Sequence, residues 1–158
     1  MRRFFLSKRE RKKLLQELES TYNITLHAST IEVIVEGNCT LYLVDGTPAF
    51  ILVENVLIPH LKYLIKKGHC FLPKVVVNRG AVLPISRGAD VMAPGIVGFE
   101  GEFYKYGIVV VVDEKVKAPI AVGRALYSLN EISKMKRGRV IENVHHYQDR
   151  YWILSERL

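Results

Sequence analysis

The stretch "SRGADVMAPGI", Ser86 to Ile96, sets two glycines, a proline, one acid and one arginine in a strongly β-forming half of the chain. Read with its flanks, "NRGAVLPISRGADVMAPGI" predicts a short helix from Gly80 to Arg87, a glycine-rich exit and then a strand. Arg79 and Arg87 fall near the two ends of that helix. Gly88 serves as a helix C-cap and Pro94-Gly95 as a turn. Neither glycine has a Cβ, so a phosphate or a flat base can also approach their backbone directly. Both readings, tight turn and bare binding floor, stand on the local sequence alone.

Working outward, the runs "KVVVN", "GIVVVVD", "APIAVGRAL", "RVIENVHHY" and "YWILS" read as short β-rich segments punctuated by Gly, Pro and charge. Ser128-Leu129-Asn130-Glu131 has the form of a capping box for one small helix. Many short strands over about 80 residues predict a small, mainly β barrel rather than a parallel sheet. Upstream the texture differs. Ser7-Lys8-Arg9-Glu10 is another capping box, opening an amphipathic helix of about three turns with Leu14, Leu15 and Leu18 on one face. "IEVIVEG" alternates Ile31, Val33 and Val35 onto one side of a strand, and Asp45-Gly46 suits a tight hairpin between two apolar runs. A short helix with Pro59 near its start and Gly68 as its stop follows. The chain therefore divides into an α+β unit, 1–73, and a mainly β domain, 74–158.

The net charge of +7 is unevenly placed: +6 over residues 1–13, −3 over 14–73 and +4 over 74–158. Nucleic acid is the commonest partner of such a surface in cytoplasm, and a solvated basic helix without a ligand is the alternative. No apolar run reaches the roughly 18 residues that span a bilayer, and the patch Phe4-Phe5-Leu6 is too short for a secretory signal. The two cysteines, Cys39 and Cys70, read as reduced core thiols, and the expected location is cytoplasmic. Catalytic constellations are poor. Adjacent histidines in "VHH" point to opposite faces of a strand, which disfavours a shared metal. Neither a nucleophile elbow nor a phosphate loop occurs, and no cofactor is expected. Trp152, the one tryptophan, is expected in the core.

"GADVMAPGI", "VVVVDEKVKAPIAVGRA" and "RGRVIENVHHYQDRYW", in that order, resemble the PUA domain, an RNA-binding fold named after pseudouridine synthases and archaeosine transglycosylases. The likeness covers about residues 74–155. "FFLSKRERKKLLQELE" and "PHLKYLIKKGHCFLPKVVVNRGAV" are similar to the N-terminal unit of one subgroup, the malignant T-cell-amplified family of translation factors and its archaeal single-chain relatives. His146 departs from the pattern, standing where relatives commonly carry Tyr.

The resemblance implies a pseudo-barrel of about six strands with short helices. It also implies structured RNA, a tRNA acceptor end or rRNA, lying along the glycine-rich helix–strand segment. Carried over residue by residue, that surface comprises Arg79, Gly80, Arg87 and Gly88, then Ala89, Asp90, Met92, Pro94 and Gly95. Arg124 and the cluster Lys134, Lys136, Arg137 and Arg139 are further phosphate candidates, with a solvated face as the alternative for the cluster. Asp90 is expected to hold its loop through backbone amides rather than to touch phosphate. The expected role is non-catalytic RNA binding in translation, in initiation, reinitiation or recycling, on the small ribosomal subunit. The N-terminal unit would meet the ribosome or a protein partner, which in eukaryotic relatives is the density-regulated protein. An accessory role in RNA modification is the alternative.

Overall fold

The computed structural model describes residues 1–69 and 71–158. Cys70 lies outside the described residues; the Cys39 thiol is buried, and burial raises its pKa. Strands β1 (Arg2–Phe5), β2 (Ile31–Glu36), β3 (Cys39–Val44), β4 (Thr47–Val53) and β5 (Val56–Pro59) pair in chain order as an antiparallel sheet. Asp45 and Gly46, at φ 48° and 83°, form the β3–β4 turn, the two positive angles that a two-residue hairpin needs. The Asp45 carboxylate also accepts from the amides of Ser29 and Thr30 at 2.8 Å, fastening the preceding loop.

Helix α1 (Lys8–Tyr22) opens with the expected capping box: the Glu10 amide donates to Ser7 Oγ at 3.1 Å and the Ser7 amide to Glu10 Oε1 at 2.9 Å. Helix α2 (Leu61–Lys67) differs from expectation at its start. Pro59 ends β5, and His60 caps the helix instead. A proline fits there because β5 is an edge strand, where a missing N–H interrupts no ladder. The alternation expected in β2 also fails at Ile34, which is as fully buried as Ile31. Because Val33 and Ile34 are both buried, core material lies against both faces of that strand. Phe4 and Phe5, read from sequence only as part of the apolar patch Phe4-Phe5-Leu6, belong to the edge strand Arg2–Phe5, in register with β2.

The second half holds β6 (Lys74–Val77), α3 (Arg79–Ser86), β7 (Val91–Met92), a 3-10 turn (Ala93–Gly95) and β8 (Ile96–Glu100). Next come β9 (Ile108–Asp113), β10 (Pro119–Ala125), α4 (Leu129–Ile132), β11 (Arg139–His146) and α5 (Arg150–Glu156). The six strands form a half-barrel in the order β7-β11-β10-β9-β6-β8, with β6 and β9 parallel. α5 corrects the β reading of "YWILS". Asp149 caps it by accepting from the Trp152 amide at 2.9 Å, and Tyr151 and Leu154, three residues apart, both turn inward. That helical spacing outweighs the β preference of the bulky run.

One apolar cluster joins the two halves. Leu18, Phe50 and Leu64 pack with Val110, Val122 and Leu154, while Val75, Ile85 and Ile141 belong to a separate barrel core. α2 rests on β10 and α5 on β3. A polar knot sits in this seam. His60 and His145 are fully buried with ring centroids 4.6 Å apart. His145 Nε2 accepts from the Leu61 amide at 3.0 Å, which leaves the proton on Nδ1, donated to Asp149 at 2.8 Å. Burial, helped by the neighbouring His145, pushes the His60 pKa down to about 3. Burial alone would raise the Asp149 pKa, but the hydrogen bond from His145 and the amides of Trp152 and His146 outweigh it and lower it.

Candidate nucleic-acid interface

The glycine-rich segment is an ordered edge of the half-barrel. Asn78 caps α3 by accepting from the Ala81 amide at 3.0 Å, and its own amide donates to Gly95 O at 2.9 Å. The 3-10 turn is thereby drawn against the start of the helix, where a Cβ on Gly95 would stand 3.3 Å from that of Ala81. At the other end Gly88 takes φ 108°, and a Cβ there would meet His146 Nε2 at 2.9 Å. Gly88 is therefore required twice, by its backbone and by the imidazole closing over it. Gly80 is different: its nearest neighbour to an added Cβ is Asn78 Oδ1 at 3.6 Å, so it marks an open surface.

Asp90 ties the exit of the helix to β11. Its carboxylate accepts from the Asn143 amide at 2.8 Å and from Arg139 Nη1 at 3.0 Å. Asn143, which the sequence reading did not single out, returns two bonds through Nδ2, to Ile85 O at 2.9 Å and Ala89 O at 3.0 Å. Nothing local marks an asparagine inside "VIENV" as the holder of a loop more than 50 positions earlier. Asn78, directly before a helix, carries the ordinary N-cap signal.

Arg79, Leu83 and Arg87 recur every fourth residue and share the outer side of α3. All three are exposed, Leu83 by 56%. Among the described residues no carboxylate pairs with Arg79 or Arg87. Met92, at the end of β7, and Pro94, in the 3-10 turn that follows, are both exposed. The Ala93 amide donates to Gly138 O at 2.9 Å and Met92 stands opposite Arg139. Arg137 and Arg139, exposed like Lys136, therefore flank that turn. Lys134 is exposed just past α4. Beside α3, Arg79, Val82, Leu83, Asp113, Lys115 and Ile120 line a mainly apolar cleft of about 480 Å³. The Asp113 carboxylate is occupied with its own turn, accepting from Lys115, Val116 and Ala118 amides, and these bonds outweigh burial to lower its pKa.

Arg124 stands apart. It faces Gly88 across a polar cleft, but its guanidinium lies 3.0 Å from Glu54 and 3.3 Å from Glu142, and only 19% of its side chain is exposed. It therefore pins the β4–β5 turn to the half-barrel. The preceding Gly123 is a packing residue: an added Cβ would stand 2.3 Å from Ile141 Cγ2. Trp152 is half-buried between His60 and Tyr147, with the Lys62 ammonium 4.9 Å from its ring centroid. Among the described residues no group of three or more His, Cys, Asp or Glu is arranged to hold a metal ion. No described helix is long and apolar enough to cross a membrane.

A family model described as PUA domain matches residues 73–147, and one described as Domain of unknown function (DUF1947) matches residues 2–67. The chain is 37% identical over 158 residues to an uncharacterised protein of Methanocaldococcus jannaschii, covering 96% of this chain and 95% of that one. It is 34% identical over 134 residues to translation machinery-associated protein 20 of Saccharomyces cerevisiae, covering 80% and 74%. Its fold superimposes with a TM-score of 0.87 on a crystal structure of a PUA domain from Aeropyrum pernix K1 in complex with tartrate, at 28% identity over 98% of this chain and 92% of that one.

Proposed function

Since the chain belongs to the family of PUA-domain proteins that includes translation machinery-associated protein 20 and the malignant T-cell-amplified proteins, we propose that it is a non-catalytic RNA-binding protein of the translation apparatus. The observation that carries this reading is the outer side of α3, where Arg79 and Arg87, without a carboxylate partner among the described residues, stand on either side of exposed Leu83. A-form RNA offers side chains backbone shape, 2′-hydroxyls and unstacked ends rather than a readable major groove. Two cations at helix spacing suit its phosphates, and the apolar cleft beside Leu83 suits an unstacked terminal base.

On this reading Gly80 and exposed Ala89 keep the backbone low enough for close approach, Gly88 and Gly95 shape the segment by packing against His146 and Ala81, and Met92 and Pro94 form an apolar rim. Asp90 acts by holding the segment. Lys134, Lys136 and Arg137 extend the cationic border, Arg139 shares its charge with Asp90, and Arg124 contributes to the position of the surface more than to its charge. The unit before Lys74 would carry the contact with the small ribosomal subunit or a protein partner, in the cytoplasm.

The test is binding to tRNA with and without its 3′-terminal nucleotides across a salt series. Affinity should fall with rising salt and with removal of the 3′ end. Arg87→Glu should weaken binding about tenfold and flatten the logarithmic salt slope by about 1. Salt-indifferent binding sinks the phosphate model, and altered nucleosides after incubation with unmodified tRNA would favour a role in RNA modification.

A further inference from the structure

A second surface of opposite character runs along the junction of the two halves. One cleft of about 400 Å³ is lined by Tyr22, Val56, Phe71, Glu102, Tyr104 and Tyr106 among others. A second of about 270 Å³, with Glu17 and Leu57 in its wall, shares Thr21, Tyr22 and Val56 with the first. The two therefore adjoin along these three residues and form one grooved surface. The turn at Glu54–Asn55 separates it from the polar cleft behind Gly88, since Glu54 lines one and Asn55 the other.

In a chain of net charge +7, the charged side chains lining these two parts among the described residues are Glu17 and Glu102. The small cleft that adjoins the first at Phe71, Leu72 and Pro73 adds Glu100 and one cation, Lys74, so carboxylates outnumber cations along the surface. Tyr104 and Tyr106 are 83% and 62% exposed, and Val56 is 40% exposed. Tyr106 also takes φ 69°, a left-handed conformation that a bulky side chain rarely adopts. Its backbone is held there from both sides: its amide donates to Ala125 O at 2.7 Å and the Gly107 amide to Tyr104 O at 2.9 Å. Residues held in sparsely populated backbone conformations cluster at active sites and ligand contacts. Lys105 lies 5.0 Å from the Tyr106 ring centroid, outside the lining of both clefts.

We infer that this groove is a docking site for an extended, apolar protein segment flanked by Lys or Arg. Tyrosine-walled grooves with carboxylates at the rim accept preorganised extended chains, whose apolar side chains fill the gaps between rings while cations meet the acids. The carboxylates repel a phosphate backbone, so the groove selects protein where the outer side of α3 selects RNA.

The experiment is a backbone-amide NMR titration of the full chain with the capped peptide Lys-Leu-Pro-Leu-Pro-Lys-Arg. Its controls are the same peptide with every cation replaced by Glu, and a uridine pentanucleotide. Saturable shifts at Thr21, Val56, Tyr104 and Tyr106 with the basic peptide alone are expected. Glu17→Lys combined with Glu102→Lys, both exposed positions, should weaken the peptide at least about tenfold, whereas Arg87→Glu should leave it unchanged. Tyr104→Ala provides a second variant on a side chain that packs little. Shifts elsewhere, equal binding of the acidic peptide, or groove shifts caused by the pentanucleotide overturn the inference. So do groove shifts that grow with protein concentration alone, which would assign the surface to a second copy of the chain.

Discussion

The outer side of α3 and the seam between the two halves are both rich in polar groups, and they use them in opposite ways. In the seam, His145, Asp149 and the Leu61 amide bond one another with almost no solvent, and Arg124 faces two glutamates. At α3, Arg79 and Arg87 face water without a carboxylate partner among the described residues. A charge that the fold has already neutralised is architecture, and one that it leaves open is available to a ligand. The distinction is invisible in composition, since both regions contribute arginines to the same total.

The largest effect is expected from His145→Ala, which leaves the Leu61 amide and the Asp149 carboxylate unmatched in a dry site. Urea unfolding should show a loss of about 3–5 kcal/mol. A loss below about 1 kcal/mol would break the contrast, because it would make the seam as dispensable as a surface pair. Acid should act on the same place. His60 titrates near 6.5 when unfolded and at about 3 when folded, so the unfolded state binds more protons between those values. Stability is therefore complete above pH 6.5 and falls as pH drops toward 3, with a slope approaching about 1.4 kcal/mol per pH unit. Below about pH 4, protonation of Asp149, whose folded pKa is lowered, adds to the loss. Urea midpoints measured from pH 7.5 to 4 should show this fall, and His60→Gln should flatten it.

Gly88→Ala should cost about 1–3 kcal/mol, from the positive φ and the imidazole of His146. Gly80→Ala should stay within about 0.5 kcal/mol. The smallest stability effect belongs to Arg87→Glu, also within about 0.5 kcal/mol, alongside the binding loss expected above. If Arg87→Glu unfolded the protein, α3 would have to be regarded as a second seam.

Much of the fold follows from short-range chemistry and was legible for that reason. Both capping boxes, the Asp45-Gly46 turn and the helix before Gly88 rest on residues within a few positions of one another. α5 defeated the same reasoning because four bulky residues in a row look like strand, while the deciding cap, Asp149, sits two positions before them. The cationic positions of the candidate interface can be named from the sequence, but their state of pairing cannot. Arg124 meets Glu54 across 70 positions, Asp90 meets Asn143 across 53, and His145 meets Leu61 across 84. No local pattern encodes such pairs; only the assembled half-barrel and its packing against the first sheet bring them together.

The placement of α5 carries a consequence for how the chain unfolds. Its buried Tyr151 and Leu154 complete the core beneath the first sheet, although they follow the last strand of the second. The first sheet therefore lacks part of its interior until almost the whole chain is available, and long-range closure of this kind slows folding. The two halves should melt as one cooperative transition rather than in succession. A nick in the Ser133–Gly138 loop, distant in sequence from α1, should then lower the melting point of both halves together.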